Sequence, residues 1–292
     1  VPNVEDDDVS LYDCTWRAYK ASPLFQIRLD ALHAYQDALL NRLLVSSTRQ
    51  TQLVDLHALK AVTTIPPGMD MLVTRTHIRT VEWDLWQDCD VKPIVLTIHH
   101  LSKRSQAPQR SDVVLLPPMD AILGDSIPFP LVLTGGTTSV CAGVLQWLRD
   151  TFHAHILPTE WPHSELRVIT ESYCVQALHE ADPPQGQLTL VYRTPKAIQH
   201  LNNIHFTLDV RQLHSLFQTK CRVVDGVASP EFLGVLEPQL EAAACVRLSA
   251  MLLCKLQTPV VTLTAGGKVN FHWSEDTAPA WQIVQQLLVF ST

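Results

Sequence analysis

The sequence lacks every short signature that would fix a chemistry. It contains thirteen His and seven Cys in 292 residues, yet no CxxC pair occurs. The closest histidine pairs, His99/His100 and His153/His155, are followed by no acid or third ligand at zinc-site spacing. GxGxxG, a Walker ending in Lys-Ser/Thr and a GxSxG elbow are all missing. Paired carboxylates such as Asp84 and Asp88 lie in segments with no pocket signature and read as surface charge. No catalytic residue, metal ligand or cofactor is therefore assigned. Long apolar runs are missing too: stretches such as Val113–Leu116 and Phe129–Leu133 fall far short of the roughly 20 residues a membrane span requires. Without a charged-then-apolar opening segment, the expectation is a soluble intracellular protein with reduced core thiols. The chain opens Val-Pro without Met, from which we expect further residues ahead of it. Charge is sparse at 17%, and the net of −7 opposes whole-surface attraction to nucleic acid, a binding driven by phosphate neutralisation. Part of it lies in Glu5-Asp6-Asp7-Asp8, read as a solvated start.

What the chain does have is apolar text in regular patterns. At 46% hydrophobic it can bury one large core or two smaller ones. Leu32, Tyr35, Leu39 and Leu43 form one stripe of a helix from about Leu29 to Leu44. Met71–His77 and Val91–His99 read as strands, with Pro93 marking an edge or a beginning. Ser102–Asp112, SKRSQAPQRSD, reads as an exposed polar loop bearing Lys103, Arg104 and Arg110. Val113–Leu116 and Phe129–Leu133 add short strands. We expect two subdomains: 9–125, with the 102–112 loop, and 126–292.

Thr134-Gly135-Gly136-Thr137-Thr138-Ser139 precedes a helix with Val140, Cys141, Val144, Leu145, Leu148 and Phe152 on one face. Glycines at a helix N-terminus suit an anion, because bare N–H groups and the helix dipole point at it. A plain N-cap by Thr137 or Thr138 accounts for the same residues.

Further on, Leu188, Leu190 and Tyr192 alternate along one strand, and Ile204, Phe206 and Leu208 along the next, as in a half-buried antiparallel sheet. Asp209 caps a short helix carrying Val210, Leu213 and Phe217. Ser229-Pro230-Glu231 opens another, which Pro238 should kink or end early. Leu248–Leu256 is followed by Pro259–Thr264 and Lys268–Trp273, which read as a hairpin turned by Ala265-Gly266-Gly267. A last helix aligns Trp281, Val284 and Leu288.

Three segments carry a resemblance: FPLVLTGGTTSVCAGVLQWLRDTFHAHILP at 129–158, LTLVYRTPKAIQHLNNIHFTLDVRQLHSLF at 188–217, and LSAMLLCKLQTPVVTLTAGGKVNFHW at 248–273. In order and spacing they resemble the centromere protein L family. LYDCTWRAYK at 11–20 is similar to that family's opening, departing from it at Trp16. The resemblance implies an α+β fold of curved antiparallel sheets with helices packed on one side. It also implies a non-enzymatic subunit of the inner-kinetochore, constitutive centromere-associated network in the nucleus. Family members pair with centromere protein N through their C-terminal regions, and the two help bind the centromeric nucleosome and flank DNA during chromosome segregation. On that basis, together with the apolar pattern of the late hairpin, the expected partner-binding residues are Val260, Thr262, Leu263, Val269, Phe271 and Trp273. DNA contacts are expected, weakly, at Lys196, Lys220, Arg222, Lys255 and Lys268. Two readings from other classes stay open: a phosphate- or small-ligand-binding enzyme using the 134–139 turn, and a homodimeric structural protein using the same C-terminal sheet.

Overall fold

The computed structural model describes residues 11–12, 14–47, 65, 71–103, 107–179, 185–196, 200–220, 231–272 and 278–292. It is an α+β protein of antiparallel sheets and helices, in two compact units built around Thr15–Pro158 and Thr159–Phe290.

The first unit contains strands β1 (Thr15–Ala21), β2 (Leu24–Phe25), β3 (Met71–Thr80), β4 (Ile94–Ser102), β5 (Pro108–Leu116), β6 (Ser126–Ile127), β7 (Leu131–Gly135) and β8 (Ile156–Pro158). Its helices are α1 (Leu32–Ser47) and α2 (Thr138–Phe152). The sheet runs β3-β4-β5-β7-β1, with β8 pairing β1 and β2–β6 forming a separate ribbon. Near-continuous apolar runs in β4, β5 and β7 are what strands buried on both faces require. Ile94, Leu96, Val113, Leu115 and Val132 join Leu39 and Leu43 of α1 and Val144 and Leu148 of α2 in one core. On the alternate positions Val95, Val114, Leu116, Leu131 and Leu133 are equally closed to solvent. The two helices approach closely where α2 carries Gly143: a Cβ there would stand 2.7 Å from a Leu43 methyl.

One expectation is corrected in this unit. The polar stretch 102–112 is not all loop, since its second half is the start of β5, and His99 pairs Arg110 while Thr97 pairs Asp112. The polar side chains satisfy one another, with Thr97 donating to Asp112 at 2.7 Å and Arg110 pairing Asp112 at 2.9 Å, so polarity does not break the strand. Arg104 lies outside the described residues. The two compact units divide after Pro158, whereas the sequence reading set its subdomain boundary at 125/126. β7 sits between β5 and β1, which ties the 131–158 segment to the first unit. Pro93 precedes β4, which is an interior strand, so the proline marks its beginning.

The second unit orders its strands β10-β9-β11-β12-β13: β9 is Gln187–Arg193, β10 Asn203–Asp209, β11 Leu252–Gln257, β12 Val261–Thr264 and β13 Lys268–Phe271. Tyr12 makes a parallel bridge to Phe271. Helices α3 (His163–His179), α4 (Val210–Lys220), α5 (Phe232–Ala244) and α6 (Ala278–Ser291) complete it. Asp209 caps α4 as expected, accepting from Arg211 N at 2.9 Å. The predicted hairpin is β12–β13, and its Gly267 has φ 77°, the left-handed conformation glycine adopts freely. Val284 and Leu288 are buried on α6 as read.

Helix α5 departs from expectation twice. It begins at Phe232 after Glu231, and its first N–H groups are satisfied by another helix: the Glu171 carboxylate of α3 accepts from Phe232 N and, at 2.8 Å, from Leu233 N. Ser229 and Pro230 lie outside the described residues. Pro238 does not end the helix, which continues to Ala244. One missing N–H is offset by Phe232, Leu233, Leu236 and Leu240, all buried along one side.

Candidate partner and nucleic-acid interface

The hairpin's apolar side chains are committed to the chain's own core. Val260 is 3% exposed, Leu263 and Val269 0%, and Phe271 2%. Thr262 and Asn270 are half-buried on the alternate face, and Trp273 lies outside the described residues. The hairpin is internal for a topological reason: β11 covers one side of β12 while β13 covers the other, and Tyr12 bridges β13.

The accessible edge of this sheet is β10. Val210 N donates to Gly186 O at 3.1 Å and Thr194 N donates to Asn202 O at 3.0 Å. In an antiparallel ladder, that phase turns the main chain of Ile204, Phe206 and Leu208 toward β9, and turns the N–H and C=O groups of Asn203, His205 and Thr207 outward. Among the described residues no strand pairs with that outer side. The side chains of Ile204, Phe206 and Leu208 are half-buried on the helix-facing side, where Phe206 packs edge-on against Tyr192 with ring centroids 6.0 Å apart.

The opposite face of the sheet is polar, and pairing registers bring its cations together. Lys255 is opposite Thr264 on β12; Thr264 is in turn one residue beyond the Leu263–Val269 pair, which sets Lys268 beside it. Val191 lies on the other side of Lys255, with His205 beyond. Two of the proposed lysines thus share one cross-strand row. Lys196 lies just past β9 and lines a cavity of about 370 Å³ with Arg193, Thr194, Pro195, Asn202, Asn203 and Cys254. Lys220 is apart from these, ending α4 in the helical layer, and Arg222 lies outside the described residues. Arg193 was missed by the sequence reading, although it is next in the outward series of a strand whose Leu188, Leu190 and Tyr192 point inward.

Beneath the polar face, α3 and α5 are locked to the sheet by a polar network the sequence did not announce. Glu237 accepts from the Tyr192 phenol at 2.8 Å and pairs with Arg167. Burial and then the Glu237 carboxylate push the Tyr192 phenol far above its ordinary range. Leu253 N donates to His163 Nδ1 at 2.7 Å, and burial followed by the Arg167 charge holds that imidazole below its ordinary value. Glu237→Leu strands both the phenol and the guanidinium; we expect a loss of about 2–3 kcal/mol, against about 1 kcal/mol for Tyr192→Phe, measurable by urea denaturation.

The 134–139 turn is filled by its own chain. Thr137 stands at the N-cap position of α2, but its side chain makes no capping bond. Its hydroxyl instead meets His100 Nε2 at 2.9 Å, and its N–H donates to Ser111 Oγ at 2.9 Å. Thr137 thus holds the N-cap position that the sequence suggested but makes no capping bond, and its own N–H is satisfied by the neighbouring strand. His100 is 1% exposed, and desolvation lowers its pKa. A buried imidazole that prefers to be neutral loses stability as pH falls below its unfolded value of about 6.5, and His163 acts in the same direction. We expect the melting temperature to fall on acidification through that value, with His100→Gln shrinking the fall.

Asp84, Asp88, His153 and His155 are exposed. Among the described residues no group of three or more His, Cys, Asp or Glu could hold a metal, and no helix is long and apolar enough to cross a membrane. Among the described residues the second unit thus combines an open strand edge with a layer of helices, and the molecule is of the α+β class. The profile of centromere protein L (CENP-L) matches residues 10–290, and the chain belongs to that family. Membership carries an inner-kinetochore role within the centromere-associated network and a place at the centromere in the nucleus; the family is a structural one. A comparison with curated proteins returned no significant match.

Proposed function

We propose that the chain is a non-enzymatic adaptor that pairs with centromere protein N through its C-terminal unit, and that together they bind centromeric nucleosomes and flanking DNA for chromosome segregation. The observation that carries the pairing is the open edge of β10, whose outward N–H and C=O groups at Asn203, His205 and Thr207 are available to a partner strand. The hairpin contributes as the framework behind that edge.

The test is co-purification with centromere protein N, comparing wild type with His205→Pro. Proline at this position removes an outward N–H while leaving the β9 ladder intact. Association weakened about tenfold or more, with the isolated variant still folded, supports the reading. Undiminished binding rejects β10 as the interface, and failure of the wild-type pair to associate rejects the adaptor role. Light scattering of the isolated chain at micromolar concentration separates this from a homodimer that uses the same edge.

DNA contact rests on the Lys255–Lys268 row and is expected to be weak and salt-sensitive in the isolated chain, given the net charge of −7. Lys255→Gln with Lys268→Gln should flatten the salt dependence by up to about two phosphate contacts. A tight, salt-resistant complex of this subunit alone would refute the reading.

A further inference from the structure

We propose that the cavity at the β9–β10 end of the second unit is a binding site for a phosphate monoester carried on an extended peptide, a phosphoserine or phosphothreonine side chain. The site is concave, about 370 Å³, and combines two cations with two amide side chains: Arg193 and Lys196 beside Asn202 and Asn203, with Thr194, Pro195 and Cys254 completing the wall. Among the described residues no acidic side chain lines it. Arg193 and Lys196 are both exposed, and among the described residues neither makes an ion pair. Their charge is therefore available to a ligand.

The chemistry favours a doubly charged oxyanion. A guanidinium offers a planar fork of donors, an ammonium offers a point charge, and amide groups supply the remaining N–H donors; three phosphoryl oxygens use all of them, whereas a carboxylate uses fewer. Thr194 is tied to the start of β10, its N–H donating to Asn202 O at 3.0 Å and its hydroxyl donating to Leu201 O, which keeps Arg193 and Asn202–Asn203 side by side.

The location favours a peptide. Asn203, which lines the cavity, is also the first outward-turned residue of the β10 edge. A strand laid along that edge would end over the cavity, and a side chain there would reach Arg193 and Lys196. Duplex phosphates lie along a convex ridge, which matches the open Lys255–Lys268 row better than a recess. The inference concerns the isolated chain and holds whether or not centromere protein N is the strand's owner.

The experiment is a titration of the isotopically labelled 292-residue chain followed by amide chemical shifts. The probes are N-acetyl-phosphoserine-N-methylamide, its unphosphorylated counterpart, inorganic phosphate and a short DNA duplex. The expected result is saturable binding of the phosphorylated derivative, at about millimolar affinity for so small a fragment, with shifts at Thr194, Asn202 and Asn203. It should bind more tightly than inorganic phosphate and weaken at least about tenfold in Arg193→Gln/Lys196→Gln. That variant changes two exposed residues, and its unperturbed spectrum elsewhere verifies folding. Equal response to the serine derivative, affinity no better than inorganic phosphate, or binding unchanged in the double variant would overturn the proposal. Displacement of the phosphoserine derivative by the duplex, lost in the same variant, would overturn it in favour of nucleic acid.

Discussion

Phe271→Asp is expected to unfold the C-terminal unit and not merely to loosen an interface. Phe271 is 2% exposed in β13, paired with Val261 on one side and bridged by Tyr12 on the other. Deleting a buried phenyl ring alone costs about 3–5 kcal/mol. A carboxylate in its place adds the cost of a buried charge for which Val260, Leu263 and Val269 offer no compensation. The total should exceed about 5 kcal/mol, enough to exhaust the stability of a typical domain. Loss of the near-ultraviolet circular dichroism signal and of soluble yield checks it; a folded Phe271→Asp protein would mean that the ring is not core. The same reasoning disqualifies this substitution as a probe of partner binding and makes His205→Pro the informative change.

Gly136→Ala is the second large effect. Gly136 has φ +101°, and a Cβ there would stand 2.6 Å from Ser111 Oγ, 2.7 Å from Arg110 O and 2.8 Å from Ser111 Cα. Two of those three atoms belong to the β5 main chain, which is pinned between β4 and β7 and cannot withdraw. The backbone conformation alone costs about 1–2 kcal/mol for a residue with a Cβ, and the displaced Ser111 hydroxyl gives up the Thr137 N–H. A destabilisation on the order of 3 kcal/mol follows, to be read as a lower midpoint in urea. Gly124, where a Cβ would meet nothing nearer than 4.0 Å, is the control and should tolerate Ala.

These two positions show where the sequence was legible. Alternation in 188–192, 204–208 and 260–271 located strands and the hairpin, because period-two burial leaves its mark on every residue of a strand. The helix stripe at Leu32–Leu43 was equally plain. Neighbour order was not, because no local pattern records which strand covers which. The late hairpin therefore read as a possible edge, while the real edge, β10, looked like any other strand. The glycine pair at 135–136 invited an anion for the same reason: the close approach of β5 that requires it comes from residues 25 positions away. Polar 102–112 read as loop because its partners, Thr97 and His99, lie across the sheet. Among the proposed cations, Lys255 and Lys268 share a row only through registers that pairing determines, and Arg193 gained its setting from a cavity.

The Glu171 cap on α5 bears on timing. Among the described residues the first turn of α5 has no side-chain acceptor of its own, and it is completed by a residue of α3 some sixty positions earlier in the chain. A helix end satisfied by a neighbour stays frayed until that neighbour has docked, so the first turn of α5 closes only once α3 is in place. Amide protection at Phe232 and Leu233 then becomes a clock for the whole layer. Hydrogen exchange there should be as slow as in α3 and should speed up sharply in Glu171→Gln, whose weaker acceptor leaves the sheet untouched.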